Sequence, residues 1–263
     1  MGFASIALGA LIWSLLTGNF ALEYVADTTT RQGSWYYRLA GLWGGNGGSL
    51  LLWGWIILVV GVWATRRSAP ARLVATAVGG SVLVIAAVAA NPFQRLQIPA
   101  IDGGGLNPIL QYPAMLYHPL LLYSGHAGLV VPFALAVAGL AALASGRSLA
   151  GHEAWWATVR RATLAAWLLL GVGLVAGARW SYVELGWGGF WGWDPVENSG
   201  LLPLLAALAF LHAARRAKVD GQRQPSVGLV ALAGVPFCFS LLGAWLSRSG
   251  AAQSVHAFAD ARA

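Results

Sequence analysis

The stretch "GSLLLWGWIILVVGVWAT" (residues 48–65) contains no charged side chain. A helix of this length rises roughly 27 Å, close to the ~30 Å thickness of the hydrocarbon core of a bilayer. Six more apolar runs of similar length occur along the chain, at about 2–20, 71–90, 119–144, 162–182, 199–214 and 227–247. The pattern predicts seven membrane-spanning helices.

The composition supports this class of protein. Of the 263 residues, 58% are hydrophobic and only 10% are charged, which is typical of a polytopic membrane protein. We therefore predict an all-α membrane bundle that forms one domain over residues 1–263. In a soluble protein the formal charge of +7 would indicate a nucleic-acid partner. Here we attribute it to membrane topology, and we expect lipid but no nucleic acid as a partner.

The basic residues fall into alternate loops. The positive loops hold Arg66, Arg67, Arg72, Arg147, Arg160, Arg161, Arg215, Arg216, Lys218 and Arg223. Because cytoplasmic loops carry an excess of Lys and Arg, we expect these loops and the N-terminus inside the cell and the C-terminus outside. The predicted outer loops are about 21–47, 91–118, 183–198 and 248–263, and the protein is expected in the inner membrane of a bacterial cell.

The outer segment 183–200 is unusually aromatic. It includes "ELGWGGFWGWDPVENSG" (184–200), with Trp187, Phe190, Trp191 and Trp193 separated by glycines. The aromatic spacing does not fit one helical face, and glycines allow the backbone to approach a flat ligand closely. We interpret the segment as an external platform for a planar hydrophobic ligand; the alternative is an aromatic belt at the membrane boundary.

The same segment contains a helix-start pattern. Asp194 is followed by Pro195, and Glu197 lies within what would be the first helical turn. An acidic N-cap, a proline at the first helical position and an acid near the positive end of the helix all favour a helix start here.

Histidines indicate what the ligand is. His118 and His256 fall in different predicted outer loops, and two neutral imidazoles on opposite faces of a macrocycle hold six-coordinate haem iron. The alternative is that each is a hydrogen-bonded interfacial histidine. His212 lies inside the sixth span, where an ionisable residue indicates a functional site. His126 is interpreted as a residue bonded to a neighbour in the fourth span, and His152 as solvated.

The chain has one cysteine, Cys238, in an apolar run. An internal disulfide or a CxxC redox pair within this chain is therefore excluded. Any thiol chemistry would use the cysteines of a partner.

Several segments together resemble the haem-handling family with a tryptophan-rich "WWD" signature, and within it the CcmF-type cytochrome c maturation haem lyases. They are "NFALEYVADTTT…WYYRLAGLWGGNGGSLLLW" (19–53), "NPFQRL" (91–96), "LNPILQYPAMLYHPLLLYSGHAG" (106–128), "ELGWGGFWGWDPVEN" (184–198) and "LLGAWLSRSGAAQSVHAFA" (241–259). The segments follow the family pattern in order over most of the chain.

The resemblance implies a function. Haem b would arrive from a haem chaperone at the outer face, rest on the tryptophan platform and be ligated by the positions matching His118 and His256. Two thiols of an apocytochrome c CxxCH motif would then add to the haem vinyl groups. The position matching His212 would help to bind a second haem, within the membrane.

Some features depart from the family pattern. Family members are more than twice as long, and their later half supplies a second intramembrane histidine. We expect a second chain to provide it; the alternative is a truncated relative with an altered role. Asn46-Gly47 stands where the family has His-Glu, and "HPLL" (118–121) where it has His-Pro-Pro. Two alternatives stay open: a CcsA-type synthase or haem channel, and a non-enzymatic haem-binding or structural subunit of a respiratory assembly.

Overall fold

The computed structural model describes residues 1–149, 153–186, 188–219, 225–254, 256 and 258. These residues form α-helices connected by turns and loops, with one isolated antiparallel bridge between Leu22 and Arg95. The helices among them are α1 (Gly2–Thr17), α2 (Glu23–Thr28), α3 (Trp35–Gly44), α4 (Asn46–Ala64), α5 (Ala69–Ala89), α6 (His118–Gly128), α7 (Val130–Ala144), α8 (Glu153–Glu184), α9 (Pro195–Val219) and α10 (Val227–Leu246). The predicted all-α bundle is confirmed.

Six helical segments are long and apolar enough to cross a membrane, counted over the described part of the chain: α4, α5, the segment containing α6 and α7, α8, α9 and α10. The chain is therefore a multi-pass helical bundle. The first predicted span corresponds to α1, an apolar helix of only 16 residues, which is shorter than the roughly 20 residues a span needs. The count of seven and the orientation of the termini stay predictions.

The spans differ in how much of their surface the bundle covers. In α4 the apolar window is 61% buried, whereas in α8 it is 22% buried. Leu168, Val172 and Val175 of α8 are exposed, as expected for side chains that face lipid. Thus α4 lies inside the bundle and α8 lies at its periphery.

Two hydrophobic clusters hold the helices together. The larger one joins α4, α5 and α7 to α8, α9 and α10 around buried residues such as Ile57, Val130 and Phe237. The smaller one joins α1 and α3 to the loops through Leu11, Trp43 and Met115. Tyr123 of α6 packs against both clusters, which places α6 where they meet.

The fourth predicted span, 119–144, is interrupted between α6 and α7. Leu129 separates the two helices but keeps near-helical backbone angles, φ −67° and ψ −13°. Pro132 explains the break, because it has no N–H to donate to the carbonyl of Gly128 and its ring clashes with that carbonyl. His118 and His126 both lie on α6, before this break.

Two predicted outer loops pack on each other. Backbone N–H groups of Leu96 and Gly104 donate to the carbonyls of Ala21 and Ala26, at 3.0 and 2.8 Å. The Asp102 carboxylate accepts from the Arg31 backbone N–H at 2.8 Å. This hydrogen bond, together with one from the Gly103 N–H, lowers the pKa of Asp102. The first and second outer loops thus form one layer over the ends of the helices.

Candidate functional site

A cavity of about 460 Å³ opens at the end of the bundle that carries the predicted outer loops. All four of these loops contribute to its wall, through Trp43, Asn107, Trp191 and Arg248 among others. The helical part of the wall comes from α6, the C-terminal ends of α8 and α10, and the N-terminal ends of α4 and α9. The volume lies in the range of pockets for small organic ligands and cofactors.

His118 lines the cavity from the first position of α6. Its Nδ1 lies 2.8 Å from the carbonyl oxygen of Gly173 on α8. Because a carbonyl can only accept, this bond requires the Nδ1–H tautomer and leaves a lone pair on Nε2. A Cβ at position 177 would lie 2.4 Å from His118 Cε1, so Gly177 provides the space for the ring. Helix packing therefore determines both the position and the tautomer of His118.

His126 lines the same cavity, eight residues further along α6. Its Nδ1 lies 2.9 Å from Ser240 Oγ, and that hydroxyl donates to the Pro236 carbonyl. The hydroxyl therefore accepts from Nδ1–H, which again leaves Nε2 with a lone pair. The hydrogen bond to a neighbour that the sequence predicts for His126 is present. The sequence did not predict that His126 lines the cavity. The signal that could have placed His126 in the site is its eight-residue spacing from His118, about 12 Å along one helix.

Asp194 caps α9, as the sequence predicts. Its Oδ1 accepts from the backbone N–H groups of Val196 and Glu197 at 2.7 and 2.8 Å, and Pro195 is the first helical residue. The Glu197 carboxylate reaches back to the N–H of Gly192 at 2.8 Å. The two acids therefore satisfy N–H groups at and just before the start of the helix, in the manner of a capping box.

His256 contacts the same cap. Its Nδ1 lies 2.8 Å from Asp194 Oδ2. Burial alone would raise the pKa of Asp194, but hydrogen bonds from the Glu197 N–H and from His256 hold the pKa below its usual value. The carboxylate is thus ionised and accepts from Nδ1–H; in the neutral imidazole this arrangement leaves Nε2 with a lone pair. His256 also lines the cavity, although its side chain is 38% exposed.

Ligand atoms of His256, Asp194 and Glu197 lie within 4.8 Å of one another, a spacing that a metal ion could bridge. The hydrogen bonds of the helix cap already account for this cluster, because both carboxylates accept backbone N–H groups. We therefore assign it a structural role.

The aromatic residues of segment 183–200 do not all face the cavity. Trp191 lines the cavity, and its buried Nε1 has no hydrogen-bond partner. Phe190 instead stacks on Tyr182, with ring centroids 4.4 Å apart. Trp193 is 72% exposed, has a left-handed backbone with φ 58°, and packs edge-on against Trp191. Trp187 lies outside the described residues.

Two cavity residues were not singled out from the sequence. Trp180 packs edge-on against His118, with ring centroids 5.7 Å apart, and Arg248 lies just beyond the end of α10. Tryptophans 180 and 53 were indistinguishable from boundary residues in the sequence, since nothing local marks which face of a span lines a cavity. The signal that could have found Arg248 is its position within "LSRSG" (246–250), where a charge follows an apolar run.

His212 lies far from this site. It is exposed on α9, about 26 Å along the helix from Pro195. The cavity at the opposite end of the bundle is lined by His118, His126 and His256. None of these three histidines lies near His212. The described residues therefore bring together the two predicted haem ligands and leave His212 separate.

The fold and the site define a class: a multi-pass helical membrane protein with a cavity lined by imidazoles and tryptophans. Residues 43–252 match the family described as "Cytochrome C assembly protein". The chain belongs to this family.

Relatives with known names extend the comparison. The chain is 41% identical to the cytochrome c-type biogenesis protein CcmF of Pseudomonas aeruginosa, over 98% of this chain and 39% of the relative. It is 40% identical to ccl1 of Rhodobacter capsulatus, over 98% of this chain and 40% of the relative. The match to CcmF of Escherichia coli is 39% identical, over 95% of this chain and 39% of the relative.

A solved structure has the same fold. The "Cytochrome c Heme Lyase CcmF" superposes with a TM-score of 0.70 at 37% identity, covering 94% of this chain and 39% of that one. The predicted family resemblance is confirmed. The chain spans about two fifths of the length of these relatives.

Proposed function

We propose that this chain holds haem at the outer face of the bacterial inner membrane during cytochrome c maturation. The observation that carries the proposal is the pair of imidazoles, His118 and His256, that line one cavity with Nδ1 engaged and Nε2 available. The names of the relatives, cytochrome c-type biogenesis proteins and a haem lyase, support the same function.

The donor set fits haem iron. Imidazole nitrogen is a common axial ligand, and a hydrogen bond from the other ring nitrogen fixes the ring and raises its basicity. His118 has this support from Gly173 and His256 has it from Asp194. His118 and His256 would hold the haem iron, and Trp191 would form the aromatic wall of the platform.

Bound haem would supply two vinyl groups, each of which can accept a thiol. Addition of S–H across a vinyl double bond forms one C–S and one C–H bond, so the step needs neither oxidant nor reductant. Cys238 is not among the residues that line the cavity. The thiols therefore come from a partner, an apocytochrome c with a CxxCH motif, and a haem chaperone delivers the haem.

Catalysis is proposed for an assembly of several chains. The later part of the long relatives, which the matched region does not include, would complete the lyase and would supply the partner ligand for a transmembrane haem at His212. The exposed position of His212 on α9 supports this, because its ring is accessible from outside this bundle. Within this chain His126, the other histidine of a span, lines the distant cavity.

Haem titration of the purified chain in lipid nanodiscs tests the proposal. We expect one low-spin haem per chain, with weaker binding and a shifted Soret band in His118→Ala and His256→Ala. His212→Ala is the matched control and should bind like the wild type. Equal binding in all three variants would contradict the ligand assignment, and a chain that binds no haem would favour a structural subunit instead.

A further inference from the structure

Unpartnered hydrogen-bond donors gather around the cavity. The indole Nε1 atoms of Trp53, Trp180 and Trp191 and the Nε of Arg248 are all buried without a partner, and all four residues line it. Buried polar groups are hydrogen-bonded in the great majority of cases. A wall with several unsatisfied donors therefore points to a ligand that carries acceptors.

Arg248 provides the charge in this wall. Its guanidinium donates to Ser247 Oγ at 2.9 Å, to Ser49 Oγ at 3.1 Å and to the carbonyl of Ala244 at 3.4 Å. These contacts are all neutral oxygens. The ring of Phe258 covers one face of the guanidinium, 4.7 Å from its carbon. Contacts with α4, α10 and Phe258 thus hold the side chain in place and leave Nε free.

The described contacts do not neutralise this charge. Glu197 is an acidic residue of the cavity wall, but its carboxylate accepts from the Gly192 N–H instead. Burial lowers the pKa of Arg248, an effect that the Tyr123 hydroxyl partly opposes. An arginine nevertheless stays protonated in proteins. A buried cation with a free donor is costly unless an anion completes its environment.

We propose that Arg248 binds a carboxylate of the ligand, with Ser49 and Ser247 holding the guanidinium in place. Arg is well suited to this role because its planar donors match carboxylate geometry. The identity of the ligand rests on the proposed function: haem carries two propionate carboxylates beside its apolar ring. The cavity would then bind haem through two independent contacts, imidazole to iron and guanidinium to propionate.

Metal-free protoporphyrin IX isolates the second contact, because it has both carboxylates but no iron for the histidines to ligate. Its fluorescence in nanodiscs reports binding, and its dimethyl ester removes the charge at nearly constant shape. We expect the wild type to prefer the free acid roughly tenfold or more. Arg248→Gln should abolish this preference and Arg248→Lys should keep part of it. The control Arg66→Gln changes an exposed arginine just beyond the C-terminal end of α4 and should bind like the wild type.

Other outcomes separate the two proposals. Equal binding of acid and ester by the wild type, or an unchanged preference in Arg248→Gln, would overturn the carboxylate site even if the histidines ligate haem. If no porphyrin binds, a fluorescent fatty acid and its methyl ester repeat the test, and a preference for the acid that depends on Arg248 would support the site without haem. Ser49→Ala, which removes one hydroxyl that accepts from the guanidinium, should reduce the preference if Arg248→Gln fails to fold.

Discussion

His118 and His256 line one cavity, but different forces hold them. His118 is half-buried between α6 and α8, with its ring against Gly177 and its Nδ1 on a helix carbonyl. His256 is exposed and contacts the bundle through the Asp194 carboxylate, a side chain at the start of α9. The first position is set by close packing and the second by one partly solvated polar contact.

This difference indicates a division of labour. A ligand held by packing is preorganised, because moving it would disturb the interface of two helices. A polar contact that is partly exposed to solvent contributes little by itself, so the fold fixes His256 less firmly. The structure thus holds His118 as the fixed side of the site and His256 as the more weakly held side.

The largest effect is expected from Gly177→Ala. The added methyl would lie 2.4 Å from His118 Cε1, so the ring must move from the Gly173 carbonyl. Losing such an orienting contact weakens metal binding about 10–100-fold, and we expect the upper end of that range in a haem titration.

Gly171→Ala on the same helix is the control. Its nearest neighbour, Leu204 Cδ1, would be 3.8 Å from the new methyl, and both variants gain the same helix propensity. If the two variants bind haem equally, His118 is not the packed, fixed ligand that we infer.

A smaller effect is expected from Asp194→Ser. Serine is as good an N-cap as aspartate, so α9 should keep its first turn, but one short hydroxyl cannot serve both the cap and His256. We expect haem to bind about tenfold more weakly through loss of the orienting contact, with unchanged helix content by circular dichroism.

The charge at Asp194 gives a matching pH test. Its pKa in the folded protein lies below the ordinary 3.8, so its stabilising contribution is present above that value and is lost as pH falls through the lowered pKa. In an acid-unfolding experiment, Asp194→Ser should therefore lack this pH-dependent contribution to the free energy of unfolding. A wild-type loss centred near neutral pH would contradict the assignment.

The tryptophans should show a still smaller difference. Trp191 lines the cavity, whereas Trp193 is exposed and contacts Trp191 only at its edge. We expect Trp191→Ala to weaken haem binding by about 1 kcal/mol beyond the lost area, or about fivefold. Trp193→Ala should have less effect on binding, and Trp193→Gly should stabilise the chain because φ 58° is strained for tryptophan. Equal losses for Trp191→Ala and Trp193→Ala would favour simple anchoring at the boundary.

The smallest expected effect is that of His212→Ala on the isolated chain, whose haem stoichiometry and spectrum should not change. Co-expression with a chain carrying the later part of the long relatives should add a second haem that this substitution removes. A second bis-histidine haem in the isolated chain would contradict the separation of His212 from the cavity.

Much of this protein could be predicted from local sequence. Apolar runs defined the spans, because a bilayer demands long apolar helices with internally paired backbones. Asp194-Pro195 predicted the start of α9, because capping acts between neighbours in the chain. The boundaries were less accurate: α8 begins at Glu153 rather than near 162, since a helix continues into the polar region where hydropathy no longer marks it.

Only the tertiary structure decided which residues share the site. Phe190 and Trp191 are adjacent in sequence, yet one stacks on Tyr182 and the other faces the cavity. His126, Trp180 and Arg248 joined His118 because α6, α8 and α10 end around one space. Hydropathy and spacing report how a residue relates to its neighbours in the chain and to the bilayer. Which faces of different helices meet depends on packing between segments that are far apart in the sequence, and hydropathy and spacing do not report that packing.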